Sequence, residues 1–236
     1  MVLKKIFLTG GSGTLGSELI KISKDFDVEF IAPSSKECNI CNLEQVKQNI
    51  LDSSCEIVVH SAALVDSRGI EDDPTLAFDI NVGGTINVIK ACMEYNKKLV
   101  FISTDYVFDG EKGNYHPSDF INPLSNYSKT KAAAELLVRT YKGSIVIRTS
   151  FYGHTFPYDC AFVDQWSSKD YVDVIAPKIL DFVCSNRENS IVHIGNKKST
   201  IYEIAKERRE SVEKIFRRDI DFVVPRDTSF VKTETD

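Results

Sequence analysis

Tyr127 and Lys131 stand four residues apart in Tyr127-Ser128-Lys129-Thr130-Lys131, a spacing that puts both on one face of a helix. An ammonium beside a phenol favours the phenolate, so such a pair can exchange a proton near neutral pH. Tyr-x-x-x-Lys also arises by chance on surface helices, so its place in the chain matters more than its spacing. Here it follows an apolar run, Leu99 to Ser103, that ends in Ser103-Thr104. A hydroxyl at the C-terminal edge of a buried strand can polarise a substrate carbonyl.

A second group is built from glycine. Thr9-Gly10-Gly11-Ser12-Gly13-Thr14-Leu15-Gly16 follows the first apolar run and opens a helical pattern. Gly10, Gly13 and Gly16 have G-x-x-G-x-x-G spacing, a variant of the dinucleotide fingerprint. In that context the backbone must turn sharply, approach a pyrophosphate and present helix N-terminal N–H groups to its charge. Glycine turns also serve packing, and it is the strand before and helix after that point to a nucleotide. An acid at the end of the second strand would bind a ribose 2′-hydroxyl and repel a 2′-phosphate. This chain has Ala32-Pro33-Ser34-Ser35-Lys36, with no acid until Glu37. NADPH is therefore expected, with NADH second, although Lys36 has an equally simple reading as a surface lysine.

These groups need a scaffold, and the chain supplies one. Ile6–Thr9, Val28–Ala32, Ile57–His60, Leu99–Ser103 and Ile145–Ile147 are short continuous apolar runs, as in strands buried on both faces of a parallel sheet. Helical patterns lie between them, at 15–23, 43–51, 75–95 and 128–141. The alternation predicts an α/β, Rossmann-type doubly wound parallel sheet over residues 1–150 that binds NAD(P). Residues 151–236 read as a small C-terminal substrate lobe. In it, 172–184 is helical, 191–194 is a strand, and Thr200 opens a charged helix reaching Phe216 with capping-box spacing. The charges 206–210 read as that helix's solvated side, and the chain after Arg226 as loosely ordered.

Composition excludes other classes. With 236 residues, 42% hydrophobic, 27% charged and a formal charge of −5, the chain is an ordinary globular protein. No apolar run approaches the roughly 18 residues of a membrane span, and the net charge argues against a nucleic-acid surface. Three apolar residues after Lys4-Lys5 are too few for a signal peptide, so a cytoplasmic location is expected. Cys38 and Cys41 have C-x-x-C spacing but no second pair, so the six cysteines read as reduced thiols and no metal site is expected. His60 and His193 read as sheet histidines. His154 and Trp166 could instead face substrate.

Taken together the segments resemble the extended short-chain dehydrogenase/reductases, and within them the dTDP-4-dehydrorhamnose reductase group. Ser103-Thr104-Asp105-Tyr106-Val107-Phe108-Asp109-Gly110 is close to that group's signature. His60-Ser61-Ala62-Ala63, Asn81-Val82-Gly83-Gly84-Thr85, Arg148-Thr149-Ser150, Ile191 to Asn196 and Tyr202 to Ala205 match family segments in order. The resemblance implies Thr104, Tyr127 and Lys131 as catalytic residues. Tyr127 would protonate the substrate oxygen, Lys131 would tune Tyr127 and hold the nicotinamide ribose, and Thr104 would bond the carbonyl oxygen. Cofactor would be bound by Gly10, Gly13, Thr14, Leu15, Gly16, Ser34, Asn39, Ile40, Ala62, Ala63, Tyr127 and Lys131. Substrate, a nucleotide-linked 4-keto-6-deoxy sugar, would meet Thr104, Asp105, Tyr106, Val107 and Tyr127, with Asn81 bracing the sheet nearby. A homodimer is what the family would allow.

The chain also departs from the family pattern. Phe151-Tyr152-Gly153 is one residue short of Trp-Val-Tyr-Gly, and Asn39 replaces an aspartate. Only ten residues separate Gly153 from Asp164-Gln165, where relatives place a pocket helix. Ser167-Ser168-Lys169-Asp170 replaces a Gly/Pro/Thr pattern. These losses keep two alternatives open: a regulatory subunit that binds NAD(P) without turnover, and an extended short-chain epimerase or dehydratase.

Overall fold

The structure, a computed structural model, describes residues 3–184 and 191–231; the end of the expected loose tail, 232–236, lies outside them. The first half runs β1 (Lys4–Thr9), α1 (Thr14–Ile22), β2 (Val28–Ile31), α2 (Leu43–Ser53), β3 (Ile57–His60), α3 (Ser67–Asp72) and α4 (Thr75–Ala77). α4 passes through a π-helical segment, Phe78–Gly84, into α5 (Thr85–Glu94), followed by β4 (Lys98–Thr104), α6 (Asn126–Val138) and β5 (Ser144–Thr149). The second half holds β6 (Phe151–Tyr152), β7 (Cys160–Phe162), β8 (Trp166–Ser167), β9 (Asp170–Tyr171), α7 (Val172–Val183), β10 (Ile191–His193), β11 (Ser199–Thr200), α8 (Ile201–Lys206) and β12 (Glu213–Ile215).

Six strands form one parallel sheet in the order β10-β5-β4-β3-β1-β2, a Rossmann-type doubly wound fold. Successive side chains of each strand feed opposite layers. Ile6 and Leu8 pack with Leu15 and Leu19 of α1 and with Ile175 and Ile179 of α7, whereas Phe7 packs with Val46 of α2, Val88 of α5 and Ala134 of α6. Because both faces are covered, the strand sequences are continuously apolar instead of alternating. β1 has β2 on one side and β3 on the other, so the crossovers part at β1. That opens a crevice at the strands' C-terminal ends, where ligands bind in such sheets.

α7 and β10 join this body although they follow residue 150: α7 lies on α1's layer of the core, and β10 pairs with β5. The small lobe is the remainder, knitted from two passes of the chain. β7 pairs with β12 and β8 with β11, around Phe156, Tyr171, Ile201, Ile204 and Val212.

Two sequence expectations are corrected. The helix opened by Thr200 has its capping box, with Glu203 N–H donating to Thr200 Oγ1 at 3.1 Å, but ends at Lys206 rather than Phe216. Residues 207–211 offer no apolar side chain to extend the buried face. Arg208 turns to Asp173 and Arg209 to Asp159, while Lys206, Glu207 and Glu210 face solvent as expected. Nor are residues 227–231 loose: Asp227, Thr228, Ser229 and Phe230 are buried, and Tyr115 exchanges backbone hydrogen bonds with Ser229 and Val231.

Candidate active site

A cleft of about 300 Å³ opens at the C-terminal ends of β1 and β3, lined by Gly10 to Gly13, Pro33, Ser35, Asn39, Ile40 and Ser61 to Leu64. Gly10 has φ +76° and a Cβ there would lie 2.7 Å from the Ala62 nitrogen, so only glycine lets the β1 turn pass against β3. Gly13 is the N-cap of α1 and no side chain caps it, which leaves that helix end's N–H groups for an anion. Glycine-lined approach, uncapped helix and depth together fit a dinucleotide pyrophosphate. Of the expected cofactor residues, Gly10, Gly13, Asn39, Ile40, Ala62 and Ala63 line this cleft. Leu15 is turned into the core, and Gly16 sits against the Gly10 carbonyl, so these two shape the turn from behind. Ser34 donates through both N–H and Oγ to Glu37 Oε2 at 2.8 Å. Folding back, Glu37 therefore brings a carboxylate to the end of β2, which the linear sequence concealed.

At the end of β4 the Thr104 hydroxyl donates to Asp105 Oδ1 at 3.3 Å and accepts from Tyr106 N–H at 3.1 Å. Tyr127 lies in the first turn of α6, fixed by a capping box between Ser125 and Ser128. Burial, then Asp105, hold its phenol above the ordinary range, while Lys169 pulls the other way. One turn on, Lys131 is buried; its Nζ donates to the Ile102 carbonyl at 2.8 Å and lies 4.2 Å from the Phe101 ring centre. Burial brings this ammonium down to about 7, with Glu135 opposing. Asn81, in the π-helical segment, accepts from Leu64 N–H at 2.7 Å and donates to the Leu64 carbonyl and to Thr130 at 3.0 Å. It ties the cleft wall to the helix carrying Tyr127, and a π-helical turn is a common device for such local re-aiming.

Of the expected substrate residues, Tyr106 is half-buried beside Lys169, whereas Val107 is corrected. Val107 is fully buried among Phe108, Tyr115, Ala132 and Phe230 and supports the loop from below. Asp105 is buried too, with Oδ2 accepting from Ser167 at 3.0 Å and Thr228 at 2.7 Å. It locks together the β4 end, the end of β8 and the chain after Arg226.

Beneath the site, Glu135 accepts from Arg148 Nη2 at 2.6 Å and from Ser103 Oγ at 2.7 Å, in a pair fully removed from water. Sequence reading passed over Glu135, yet it sits four positions after Lys131 and so shares the buried face of α6. His60 bridges Thr9 and Thr85 at 2.7 and 2.9 Å. Since the Thr85 hydroxyl donates to the Asn81 carbonyl at 2.6 Å, Nε2 of His60 carries the proton in this network. Burial brings His60 to about 3, keeping it neutral. His154 faces Glu18 Oε2 at 3.0 Å, a tie between the lobe and α1. Trp166 lines a separate cavity of about 340 Å³ with Arg217 and Arg226. Among the described residues the cysteines are unpaired, no cluster could hold a metal ion, and no helix is long and apolar enough to cross a membrane.

The sheet, its crevice and the Thr–Tyr–Lys set define an extended short-chain dehydrogenase/reductase-like chain. More narrowly, it belongs to the RmlD substrate binding domain family, whose profile matches residues 4–176. It is 34% identical over 184 residues to dTDP-4-dehydrorhamnose reductase of Aggregatibacter actinomycetemcomitans, covering 75% of this chain and 62% of that protein. It is 36% identical over 156 residues to the spore coat polysaccharide biosynthesis protein SpsK of Bacillus subtilis, covering 64% and 55%. The chain therefore spans less than two thirds of the length of these relatives. The crystal structure of dTDP-4-dehydrorhamnose reductase from Bacillus anthracis in complex with NADP superposes with TM-score 0.88 at 24% identity, covering 98% of this chain and 91% of that one.

Proposed function

We propose that this chain is an NADPH-dependent reductase of a nucleotide-linked 4-keto-6-deoxy sugar. The observation that carries the reading is the placing of Thr104, Tyr127 and Lys131 at the C-terminal edge of β4, beside a glycine-lined cleft built for a dinucleotide. Gly10, Gly13 and the start of α1 would hold the pyrophosphate, and Asn39, Ile40, Ala62 and Ala63 the groove around it. When bound, the cofactor supplies hydride for the keto carbon. The chain's part is then to manage the oxygen. Thr104 turns its hydroxyl from Asp105 to the keto oxygen as negative charge grows there. Tyr127 passes its phenolic proton to that oxygen, and Lys131, one helical turn away, stabilises the phenolate left behind. Division of labour follows the sequence pattern: residues 1–150 hold the cofactor, and the lobe within 151–236 receives the sugar nucleotide, with Trp166, Arg217 and Arg226 suited to its base and phosphates.

The test is nicotinamide absorbance on mixing the protein with NADPH or NADH and a panel of nucleotide-linked 4-keto-6-deoxy sugars, with Tyr127→Phe beside it. Oxidation is expected, falling by about 10²–10⁴-fold in the variant. Cofactor binding without oxidation on any member of the panel would overturn the reading in favour of a binding subunit.

A further inference from the structure

Tyr127 stands second in α6, in the part of a helix whose N–H groups find no partner within it and where fraying begins. The Ser125–Ser128 capping box holds this turn from its own segment. A second hold comes from outside the helix. The Thr130 hydroxyl donates to the Tyr127 carbonyl at 2.7 Å and accepts from Asn81 Nδ2 at 3.0 Å. The other Nδ2 proton of Asn81 goes to the Leu64 carbonyl at 3.0 Å. Its Oδ1 accepts the Leu64 N–H at 2.7 Å, which settles the way the amide faces.

Beyond Asn81 the connection continues to the sheet. The Asn81 main-chain carbonyl accepts the Thr85 hydroxyl at 2.6 Å, Thr85 accepts from His60 Nε2 at 2.9 Å, and His60 Nδ1 accepts from Thr9 Oγ1 at 2.7 Å. Thr9 in turn accepts the Ala62 N–H at 3.3 Å. Thr9 and His60 end β1 and β3 as register partners, so the parallel pairing itself sets them side by side on one face of the sheet. Thr9, Ala62 and Leu64 line the glycine-walled cleft. A run of hydrogen bonds therefore joins the dinucleotide cleft to the backbone of Tyr127. Its members Thr9, His60, Asn81, Thr85 and Thr130 are all buried. Each of the three hydroxyls accepts one hydrogen bond and donates one, so losing a member leaves its neighbours unpaired away from water.

We infer that Thr130 and Thr85 are positioning residues for Tyr127: through Asn81 they tie the first turn of α6 to the ends of β1 and β3, so that the phenol and the dinucleotide are held in one frame. This rests on the reading of Tyr127 as proton donor, so one arm of the test needs no turnover. Thr85 is the sharper probe, because its hydroxyl meets His60 and Asn81 and reaches α6 through them. Amide hydrogen exchange is followed in the full chain carrying Thr130→Val or Thr85→Val, with Thr130→Ser and Thr85→Ser beside them. Both valine variants should speed exchange at 126–131 by about 10-fold or more while α2 exchanges as before, and both serine variants should restore the wild-type rate. In the second arm, kcat should fall about 10–100-fold in the valine variants with KM for NADPH within about twofold of wild type. A loss of stability alone would speed exchange in α2 as well and leave kcat intact well below Tm, so the pattern separates positioning from folding. Exchange at 126–131 as slow as in wild type, an equal rise in α2, an unchanged kcat, or serine variants as impaired as the valine ones would each overturn the proposal. Should Thr85→Val fail to fold, Thr130→Val decides by the same readings. A wild-type protein without turnover would sink the reductase reading, and the exchange arm would still decide the hold on Tyr127.

Discussion

Replacing Glu135 by glutamine tests whether the pair beneath the site governs stability as its geometry demands. Arg148 and Glu135 are 1% and 0% exposed. The carboxylate takes Arg148 Nη2 at 2.6 Å, Arg148 Nε at 3.2 Å and Ser103 Oγ at 2.7 Å. Without its negative charge, the guanidinium would face only the Pro117 carbonyl at 3.1 Å, the neutral ring of His193 and the face of Phe108. Leaving one buried charge unmatched costs about 3–5 kcal/mol. For a chain of this size each kcal/mol moves Tm by roughly 2–4 °C, so Glu135→Gln should melt about 10 °C below the wild type and lose a matching part of its urea stability. Removing both charges in Glu135→Leu/Arg148→Met should recover most of that loss, because desolvation of the pair is then removed with the attraction. A Glu135→Gln protein within about 1 kcal/mol of wild type, or a double variant less stable than the single one, would refute the reasoning. Glu135 also supports the charged form of Lys131, so the same substitution should lower the lysine's proton affinity further.

Three further outcomes are expected. Glu37→Gln removes the carboxylate that Ser34 binds and should shift the ratio of NADPH to NADH affinity towards NADPH by about 10-fold, measured by fluorescence titration; an unchanged ratio would mean that Glu37 does not face the ribose. Gly10→Ala forces a left-handed backbone and a contact with Ala62, so it should cost at least ~1–2 kcal/mol in urea unfolding and weaken cofactor binding 10-fold or more. His60 and His193, both brought by burial to about 3 from 6.5, stay neutral in the folded chain and take up protons on unfolding below 6.5. Their contribution is complete above that pH and is lost as pH falls towards 3, at about 1.4 kcal/mol per unit for each. Roughly 4 kcal/mol should thus be gone at pH 5, read by urea unfolding at pH 7 and 5, and a flat profile would contradict their burial.

How far sequence reading reached depended on whether a residue's partners were local. The sheet strands were legible because two-sided burial writes itself as continuous apolar runs such as Ile57–His60, and the cleft because Gly10 and Gly13 sit between a strand and a helix. The small lobe was not, because its strands are two or three residues long and owe their form to partners elsewhere in the chain. Val212 and Ile215 stand at helical spacing, yet β7 takes Glu213–Ile215 as a strand. Asp227-Thr228-Ser229 look solvent-bound by composition; their partners, Lys198, Asp105 and Asn114, are brought to them only by the folded chain. Glu37 was discounted in the same way, since a turn that returns it to Ser34 decides where its charge lies.

The two-pass weave of the small lobe has a consequence in time. Neighbouring strands of β1–β5 pair across 24 to 51 positions, whereas Thr228 reaches Asp105 across 123 and Asn114 reaches Ser229 across 115. Contacts of long sequence separation bear a larger loop-closure cost and gain nothing until the segments between them are ordered. The glycine-lined crevice should therefore assemble before the contacts that tie down residues 227–230, and a refolding chain should regain affinity for the dinucleotide ahead of that order. An arrested or nicked chain would then hold the dinucleotide while the small lobe is still unformed.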